Sequence, residues 1–519
     1  MHRKEQKVVD QMKRSCGILL HITSLPSRYG IGNLGQAAYD FVDFLHAAGQ
    51  RCWQILPIGP TGYGDSPYQS FSTFAGNPYL IDPDQLIQQG WLTQAEADAV
   101  SWEQRPDQVD FRLLYRQRLP LLRRAYERFQ LAPPAGFSRF CQAERDWLED
   151  YALFMALKAH FGGGPWSDWP QALRLREPAA LDRYRTELAE EIDFHRFLQY
   201  EFYRQWDRLR AYTREKGVKL IGDIPIYVPM DSADLWCHPD LFQLDENRQP
   251  TCVAGCPPDR FSEEGQYWGN PIYDWDRMEQ DGFAWWLRRI EAAGRLFDVI
   301  RIDHFRGLES YWSIPASSDS ARDGVWVKGP GRKLIDAIQT TFPNLDFIAE
   351  DLGFLTDEVR TLVTESGYPG MKVLEFAFDS PEPSDYLPHR YGDNCVCYTG
   401  THDNTTLAQW CQESPAEICN RARSYLGLSQ TDDLASALLQ SGLASQADLF
   451  VAQMQDYLGL GGSARMNEPG TVKPENWRWR STAEQFTPAL ARQLRTAAEA
   501  SHRIPPESIP STENKIRSI

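Results

Sequence analysis

The feature that most constrains the fold of this chain is a repeated unit, in which a short apolar run is followed by an amphipathic helix. In the first unit, apolar residues recur at helical spacing from Ala38 to Leu45, and Gly49 ends the helix. Alternating strands and helices form a parallel sheet, and about eight strands favour a closed (β/α)8 TIM-type barrel over a doubly wound sheet. The predicted strands contain residues 17–20, 52–56, 218–221, 297–300, 347–349, 373–376, 395–398 and 449–451.

Two stretches interrupt this repeat. Residues 82–189 are polar and helical in pattern, which predicts a helical subdomain inserted between the second and third strands. Residues 228–273 are rich in Pro, Gly, Asp and aromatic residues, which predicts a long active-site loop insertion within the barrel. The rest of the chain is assigned to the catalytic barrel (15–81 and 190–500) and to two polar tails (1–14 and 501–519).

The charge and composition of the chain restrict the class of its partner. A net charge of −17 repels phosphate backbones and anionic membranes, so the charge disfavours nucleic acid and membranes as partners and a neutral substrate fits best. Aromatic residues make up 12% of the chain and include 17 Trp. They are compatible both with an aromatic-rich core and with a groove whose flat rings meet the apolar faces of sugars, and composition does not choose between the two.

The sequence predicts a cytoplasmic protein. Its polar N-terminus has no apolar segment of the kind found in secretory signals. No stretch approaches the roughly 18 consecutive apolar residues of a membrane span. The ten Cys lack the paired C-x-x-C spacing of a zinc site, so we interpret them as buried thiols in a reducing compartment.

Polar side chains follow four of the predicted strands at their carboxyl ends. In a barrel these ends converge on one face, where the active site lies. Four acidic groups, two His and one Arg are therefore expected in one small space. These residues are Asp223, Arg301, Asp303, His304, Glu350, His402 and Asp403.

The cluster has two other possible interpretations, as helix N-caps and as metal ligands. Each Asp is also a good helix N-cap, and this alternative stays open for Asp403, but it explains four coincident cases poorly. Asp, Glu and His also bind metals. Arg301, two residues before Asp303 on the same strand face, argues against a metal because its charge would take the place of the cation.

Paired carboxylates suggest chemistry on a glycosidic bond. Glu350 follows an apolar run that should raise its pKa and keep it protonated, as a general acid requires. Asp303 beside Arg301 should stay ionised, which suits a nucleophile. A reaction that retains configuration would place the two carboxyl groups about 5 to 5.5 Å apart.

Several motifs resemble those of a known family. Residues 301–304, 348–353 and 401–406 resemble, in order, three signature segments of the α-amylase clan. Four further stretches are similar to the amylomaltase (4-α-glucanotransferase, disproportionating enzyme) family. They are residues 64–69, 257–259 with 268–271, 465–467 and 469–471.

The resemblance implies a role for each matching residue. Asp303 would be the nucleophile, Glu350 the acid and then the base, and Asp403 the residue that holds sugar hydroxyls and stabilises the transition state. The implied substrate-binding residues are Arg301, His304, His402, Tyr63, Ser66, Tyr68, Asp259, Phe261, Gln266, Trp268 and Asn467. Arg260 departs from the family pattern, which puts the detailed loop contacts in doubt and leaves the reaction unaffected.

The resemblance also implies an activity and a set of partners. The family transfers a segment of an α-1,4-glucan to the 4-OH of a glucose or maltodextrin acceptor, with no metal, no organic cofactor and no separate C-terminal β-domain. Two alternatives are an α-glucan hydrolase of the same clan and a non-catalytic glucan-binding protein. The aromatic loop at 255–271 favours transfer over hydrolysis, and the intact Asp303, Glu350 and Asp403 argue against a binding protein.

Overall fold

A computed structural model of the chain describes residues 14–102, 105–258, 263–353, 355–382 and 384–504. The strands are β1 (Ser15–Leu19), β2 (Cys52–Gln54), β3 (Lys219–Ile224), β4 (Cys252–Cys256), β5 (Gln266–Pro271), β6 (Val299–Ile302), β7 (Ser310–Pro315), β8 (Val325–Lys328), β9 (Asp346–Ala349), β10 (Gly370–Val373), β11 (Cys395–Tyr398) and β12 (Leu449–Gln453). Eight of them form a closed parallel barrel in the order β1-β12-β11-β10-β9-β6-β3-β2, so the predicted TIM-type fold is confirmed.

The barrel strands are apolar because they are buried on both faces, between the barrel interior and the surrounding helices. One barrel strand begins and ends earlier in the chain than predicted. The run 373–376 touches β10 only at Val373, and the next residues form a 3-10 helix, Leu374–Phe378. A short buried apolar run has the same composition in a strand and in a buried helical turn, so periodicity did not separate them.

Nineteen α-helices surround the barrel in the described part of the chain. The longest, Ala189–Glu215, packs against β3 and against the helices that lie between β2 and β3. No helix among the described residues is long and apolar enough to cross a membrane. The helices are Gln36–Ala47, Pro83–Gln88, Gln94–Asp98, Phe111–Phe129, Ala135–Ala143, Arg145–His160, Gln171–Arg174, Pro178–Glu187, Ala189–Glu215, Ala233–Cys237, Trp275–Gln280, Ala284–Leu296, Arg332–Thr341, Asp357–Ser366, Leu407–Glu413, Ala416–Leu426, Leu434–Ala444, Met454–Tyr457 and Pro488–Ala500.

The sequence patterns did not predict a second sheet, which is antiparallel and has the strand order β5-β4-β7-β8. Two of its strands, β4 and β5, lie in the segment 228–273, which was predicted as a loop. They are short, and glycines such as Gly255 and Gly269 interrupt their apolar pattern. The sheet matters for function because β5 carries Gln266 and Trp268 to the mouth of the barrel.

Candidate active site

Parallel register brings the predicted acidic residues to one end of the barrel. Asp223 on β3 pairs with Arg301 on β6, and Ile302 pairs with Ala349 on β9. Asp303 and Glu350 are the next residues after that last pair, so they leave adjacent strands at the same level. The backbone continues this alignment, because the Glu350 N–H donates to the Ile302 carbonyl at 3.1 Å.

Arg301 is the cation of this cluster and is shared between two carboxylates. Its Nη1 lies 2.5 Å from Asp223 Oδ2 and 2.9 Å from Asp303 Oδ1. The hydroxyl of Tyr68 also donates to Asp223 Oδ2, at 2.8 Å. Arg301 and Asp223 are almost fully buried, whereas 29% of the Asp303 side chain is exposed. Asp223 thus anchors the guanidinium from below, and Asp303 presents its carboxylate to the groove.

Glu350 is held by two backbone amides. The His304 N–H donates to Glu350 Oε2 at 2.7 Å, and the Leu352 N–H donates to Oε1 at 2.8 Å. His304 adopts a left-handed conformation with φ 50°, which is uncommon for a residue with a side chain. This strained turn directs its N–H at Glu350, so the residue after Asp303 positions the Glu350 carboxyl group.

The electrostatics of the pair differ in one respect from the sequence-based prediction. Burial raises the pKa of Glu350, as predicted for an acid, with Arg301 and the two amides acting in the opposite direction. Burial also raises the pKa of Asp303, and the nearby Asp223, Glu350 and Asp403 add to this, against the lowering effect of Arg301. The prediction that Arg301 keeps Asp303 ionised was therefore too simple, because Arg301 is divided between two carboxylates. Burial thus favours the protonated form of both carboxyl groups, and the charge of Glu350 adds to this effect on Asp303.

Asp403 lies on the loop after β11 and is held by Asn467 and Arg465. Asn467 Nδ2 donates to Asp403 Oδ1 at 2.6 Å, and its N–H donates to the His402 carbonyl at 3.1 Å. Arg465 Nη2 donates to the Asp403 carbonyl at 2.7 Å. With 43% of its side chain exposed, Asp403 projects from this support into the groove.

Aromatic rings form the walls between these carboxylates. Tyr68 stacks on His402 with ring centres 5.1 Å apart, and Trp477 lies 5.9 Å from His402. Trp268 packs edge-on against His304 at 4.8 Å. Burial lowers the pKa of His402, and that of His304 to about 3, so both rings are neutral and can exchange hydrogen bonds with hydroxyl groups.

These walls enclose a groove of about 520 Å³. Arg301 and Glu350 lie beneath its floor as buried residues. Asp259 and Phe261 lie outside the described residues, as does the side chain of Tyr63. The other predicted site residues all line the groove, and they are Ser66, Tyr68, Gln266, Trp268, Asp303, His304, His402, Asp403 and Asn467.

Three residues of the site were assigned no role from the sequence. Asp223 was noted only as an acidic group after a strand, and its contact with Arg301 depends on the register of β3 and β6. Arg465 belongs to a recognised motif, but its contact with the Asp403 backbone is tertiary. Trp477 carries no local signal, because a Trp in an irregular segment is equally common in a core.

The family follows from comparison with known proteins. A model of the family described as 4-alpha-glucanotransferase matches residues 20–485. This chain belongs to the 4-alpha-glucanotransferase family. It is 47% identical over 488 residues to the 4-alpha-glucanotransferase of Streptococcus pneumoniae serotype 4, covering 93% of this chain and 96% of that protein. It is 48% identical over 506 residues to the Thermus thermophilus protein of the same name, covering 95% and 100%.

Solved structures agree with this assignment. The amylomaltase from Streptococcus agalactiae in complex with acarbose superposes with a TM-score of 0.92 at 41% identity, covering 95% of this chain and 100% of that one. The amylomaltase from Corynebacterium glutamicum, at 19% identity and a TM-score of 0.77, shows the shared fold. The chain is thus a 4-alpha-glucanotransferase, and the hydrolase and binding-protein alternatives are not favoured.

In this glucanotransferase Arg301 forms ion pairs with both Asp223 and Asp303, which leads to a prediction about pH. Asp303, the predicted nucleophile, must be ionised to attack, so we expect activity to be lost as the pH falls through its pKa. We expect Asp223→Asn to lower the pKa of Asp303, because it removes a nearby negative charge and leaves Arg301 to one carboxylate. The acidic limb of kcat/KM for maltotriose should then move to lower pH.

Asp346→Asn is the matched control, since Asp346 lies at the opposite end of the barrel in an ion pair with Lys219. It should leave the pH profile in place. A shift of the acidic limb to higher pH in Asp223→Asn would contradict the arrangement.

A second prediction concerns metals. The described residues contain no group of three or more His, Cys, Asp or Glu side chains placed to hold an ion. Because Arg301 already neutralises part of the carboxylate cluster, we expect transfer activity to survive exhaustive chelation. The measurement is the rate of maltotriose disproportionation before and after chelator treatment. Loss that calcium restores would show that a metal supports the site.

Proposed function

We propose that this enzyme transfers a segment of an α-1,4-glucan to the 4-OH of a glucose or maltodextrin acceptor by a retaining double displacement. The observation that carries the proposal is the placement of Asp303 and Glu350 at neighbouring strand ends, one on Arg301 and the other on two backbone amides. Two carboxyl groups held by such different partners can supply one ionised and one protonated group, which retention requires.

In the first step, an Asp303 carboxylate oxygen attacks C1 of the donor glucose at the bond to be cut. The C1–O4 bond breaks, and the Glu350 proton passes to the departing O4, so the released sugar leaves with a free 4-OH. In the second step, Glu350 accepts the proton of an acceptor 4-OH. The acceptor oxygen bonds to C1 and the ester bond to Asp303 breaks. Two inversions restore the α configuration.

The remaining groove residues bind the sugar at the cut. Asp403 offers carboxylate oxygens to hydroxyls of the distorted ring, held in place by Asn467. His304 and His402 are neutral and face the same space. Tyr68 and Trp268 supply flat rings in the groove wall, against which the apolar faces of glucose can pack.

Transfer competes with hydrolysis for the same covalent intermediate. Gln266, Tyr267 and Trp268 line the groove from the antiparallel sheet, where the Trp268 ring packs on His304. An aromatic wall beside the intermediate favours a sugar acceptor over water, because it packs against the sugar ring and excludes bulk solvent. Maltooligosaccharides and longer α-1,4-glucans therefore serve as both donor and acceptor. The predicted cytoplasmic location, and the absence of nucleic acid and membrane partners, stay predictions from the sequence.

Incubation with maltotriose alone tests the proposal. Transfer yields glucose together with maltodextrins longer than maltotriose. Hydrolysis yields only shorter sugars, and a binding protein leaves maltotriose unchanged. Chromatography of the products over time separates these outcomes. The appearance of glucose and maltose without any longer product would overturn the proposed transfer.

A further inference from the structure

A buried carboxyl group that the proposed chemistry does not use lies beneath the loop carrying Asp403. Glu375 follows β10 and is only 4% exposed. Its Oε1 is buried without a hydrogen-bond partner among the described residues. Burying an ionisable group in this way costs stability, so packing alone does not account for a Glu at this position.

Glu375 is directed at the turn that contains Asp403. The Glu375 N–H donates to the Thr399 carbonyl at 3.4 Å, and the Glu375 carboxyl group and the Asn404 side chain lie side by side across Gly400. On its other side, Asn404 Oδ1 accepts hydrogen bonds from the N–H and the hydroxyl of Thr401, both at 2.9 Å. The Thr401 hydroxyl oxygen in turn accepts from the Asp403 N–H at 3.3 Å. Packing of Glu375 beside Asn404, followed by two hydrogen-bonded links through Thr401, thus connects Glu375 to the backbone of Asp403.

The sequence leaves room for this convergence at Gly400. A Cβ atom there would lie 2.9 Å from Asn404 Cβ and 3.1 Å from Glu375 Oε1, closer than such atoms normally approach. Gly400 therefore allows the Glu375 carboxyl group to reach Asn404 across the loop backbone. This close approach explains why residue 400 is Gly, although its backbone is not in the left-handed conformation that favours glycine.

The two ends of the same loop have separate supports. Asp456 accepts from the Thr399 hydroxyl at 2.6 Å and from the Leu407 N–H at 2.8 Å. Gln453 donates to the Thr405 carbonyl at 3.1 Å. These contacts hold the entry and exit of the loop, whereas the contact between Glu375 and Asn404 acts on its centre, next to Asp403.

We propose that Glu375 is a positioning residue that orients the Thr401–Asn404 turn and thereby sets the direction in which Asp403 meets the sugar. The inference rests on the role proposed for Asp403. Burial raises the pKa of Glu375 well above its usual range, with the Asp456 charge acting in the same direction and Arg465 against it. A neutral carboxyl group has the same shape as an amide and similar hydrogen-bonding groups. A glutamine should therefore replace it, while an apolar side chain of similar size should not.

The test compares Glu375→Gln with Glu375→Met. The glutamine variant should keep the wild-type kcat for maltotriose. The methionine variant should lose about 10- to 100-fold in kcat, because a small misplacement of a transition-state contact has that effect. Its KM should change by no more than about twofold, since ground-state binding is spread over the whole groove.

A double variant with Asp403→Asn shows whether Glu375 acts by positioning Asp403 or by a general effect on stability. In an Asp403→Asn background, the methionine substitution should cause little further loss, because the group that it misplaces is already absent. Glu144→Met is the matched control, as a buried Glu paired with Arg295 in the helical region. It should lower the melting temperature and leave kcat unchanged.

Acarbose binding, measured by calorimetry, provides a readout that does not depend on turnover. We expect Glu375→Met to weaken acarbose binding about tenfold and Glu375→Gln to leave it unchanged, because inhibitors resembling the transition state are sensitive to such contacts. The proposal is overturned by a wild-type kcat and acarbose affinity in Glu375→Met, or by an equal loss in the Asp403→Asn background. If wild-type enzyme binds acarbose but makes no longer maltodextrins, the proposed transfer fails while the affinity comparison still decides the role of Glu375.

Discussion

Asp303→Asn is expected to lower the transfer rate on maltotriose by a factor on the order of 10⁴ or more, the range seen when an essential nucleophile is removed. An amide does not form the ester with C1, and Asp223, the other described carboxylate in an ion pair with Arg301, is buried and does not reach the groove. Glucan binding should persist, because Tyr68, His402 and Trp268 are unchanged. The measurements are the rate of product formation and the affinity for maltotriose.

The folding of this variant is also predictable. The pKa of Asp303 is raised in the folded protein, so the ionised carboxylate is destabilising there at neutral pH. That penalty is absent below the pKa of the unfolded chain and grows as the pH rises above it. Asp303→Asn removes the penalty, so its melting temperature at neutral pH should equal or exceed that of the wild type. Asp346→Asn, the same change at the far end of the barrel, should keep full activity. Near-normal transfer by a folded Asp303→Asn variant would show that another group attacks C1.

Glu350→Gln is expected to be almost as damaging with maltotriose, but for a different reason. The amide has the same shape as the carboxyl group, and its oxygen still accepts one of the two N–H groups, while its NH2 group faces the other and that hydrogen bond is lost. It supplies no proton to the departing O4 and removes none from the acceptor, so both steps slow. General acid–base catalysis typically accounts for about 10²- to 10⁴-fold in rate.

An activated donor distinguishes the two carboxylates. The fluoride ion of α-maltosyl fluoride leaves C1 without being protonated. The Glu350→Gln variant should therefore still form the ester on Asp303 with this donor. The ester should then persist, because the base for the second step is missing, and mass spectrometry should detect the added sugar. Asp303→Asn should show no adduct with the same donor. An exposed carboxylate on the outer helix Asp357–Ser366, changed as Glu358→Gln, is the control and should behave as wild type. Full activity of Glu350→Gln on maltotriose would remove Glu350 from the role of acid.

Much of the fold could be predicted because it follows from the spacing of apolar residues within short segments of the sequence. Each barrel strand is a short apolar run followed by helical periodicity, and the number of such units led to the closed barrel. The failures were also local. The run at 373–376 was read as a strand although most of it is helical, and β4 and β5 were missed because their short segments carry glycines and exposed residues. Both errors arise where composition is the same in two structures.

The sequence by itself determined the chemistry available to this protein, because Asp303, Glu350 and Asp403 each follow an apolar run and the barrel brings such ends together. Tertiary structure decided how those groups behave. Whether Arg301 serves one carboxylate or two depends on the register between β3 and β6, which places Asp223 opposite it. The support of the Asp403 loop by Glu375 likewise depends on packing between residues distant in sequence. Charge interactions vary with distance and burial, and only the folded chain sets these two quantities.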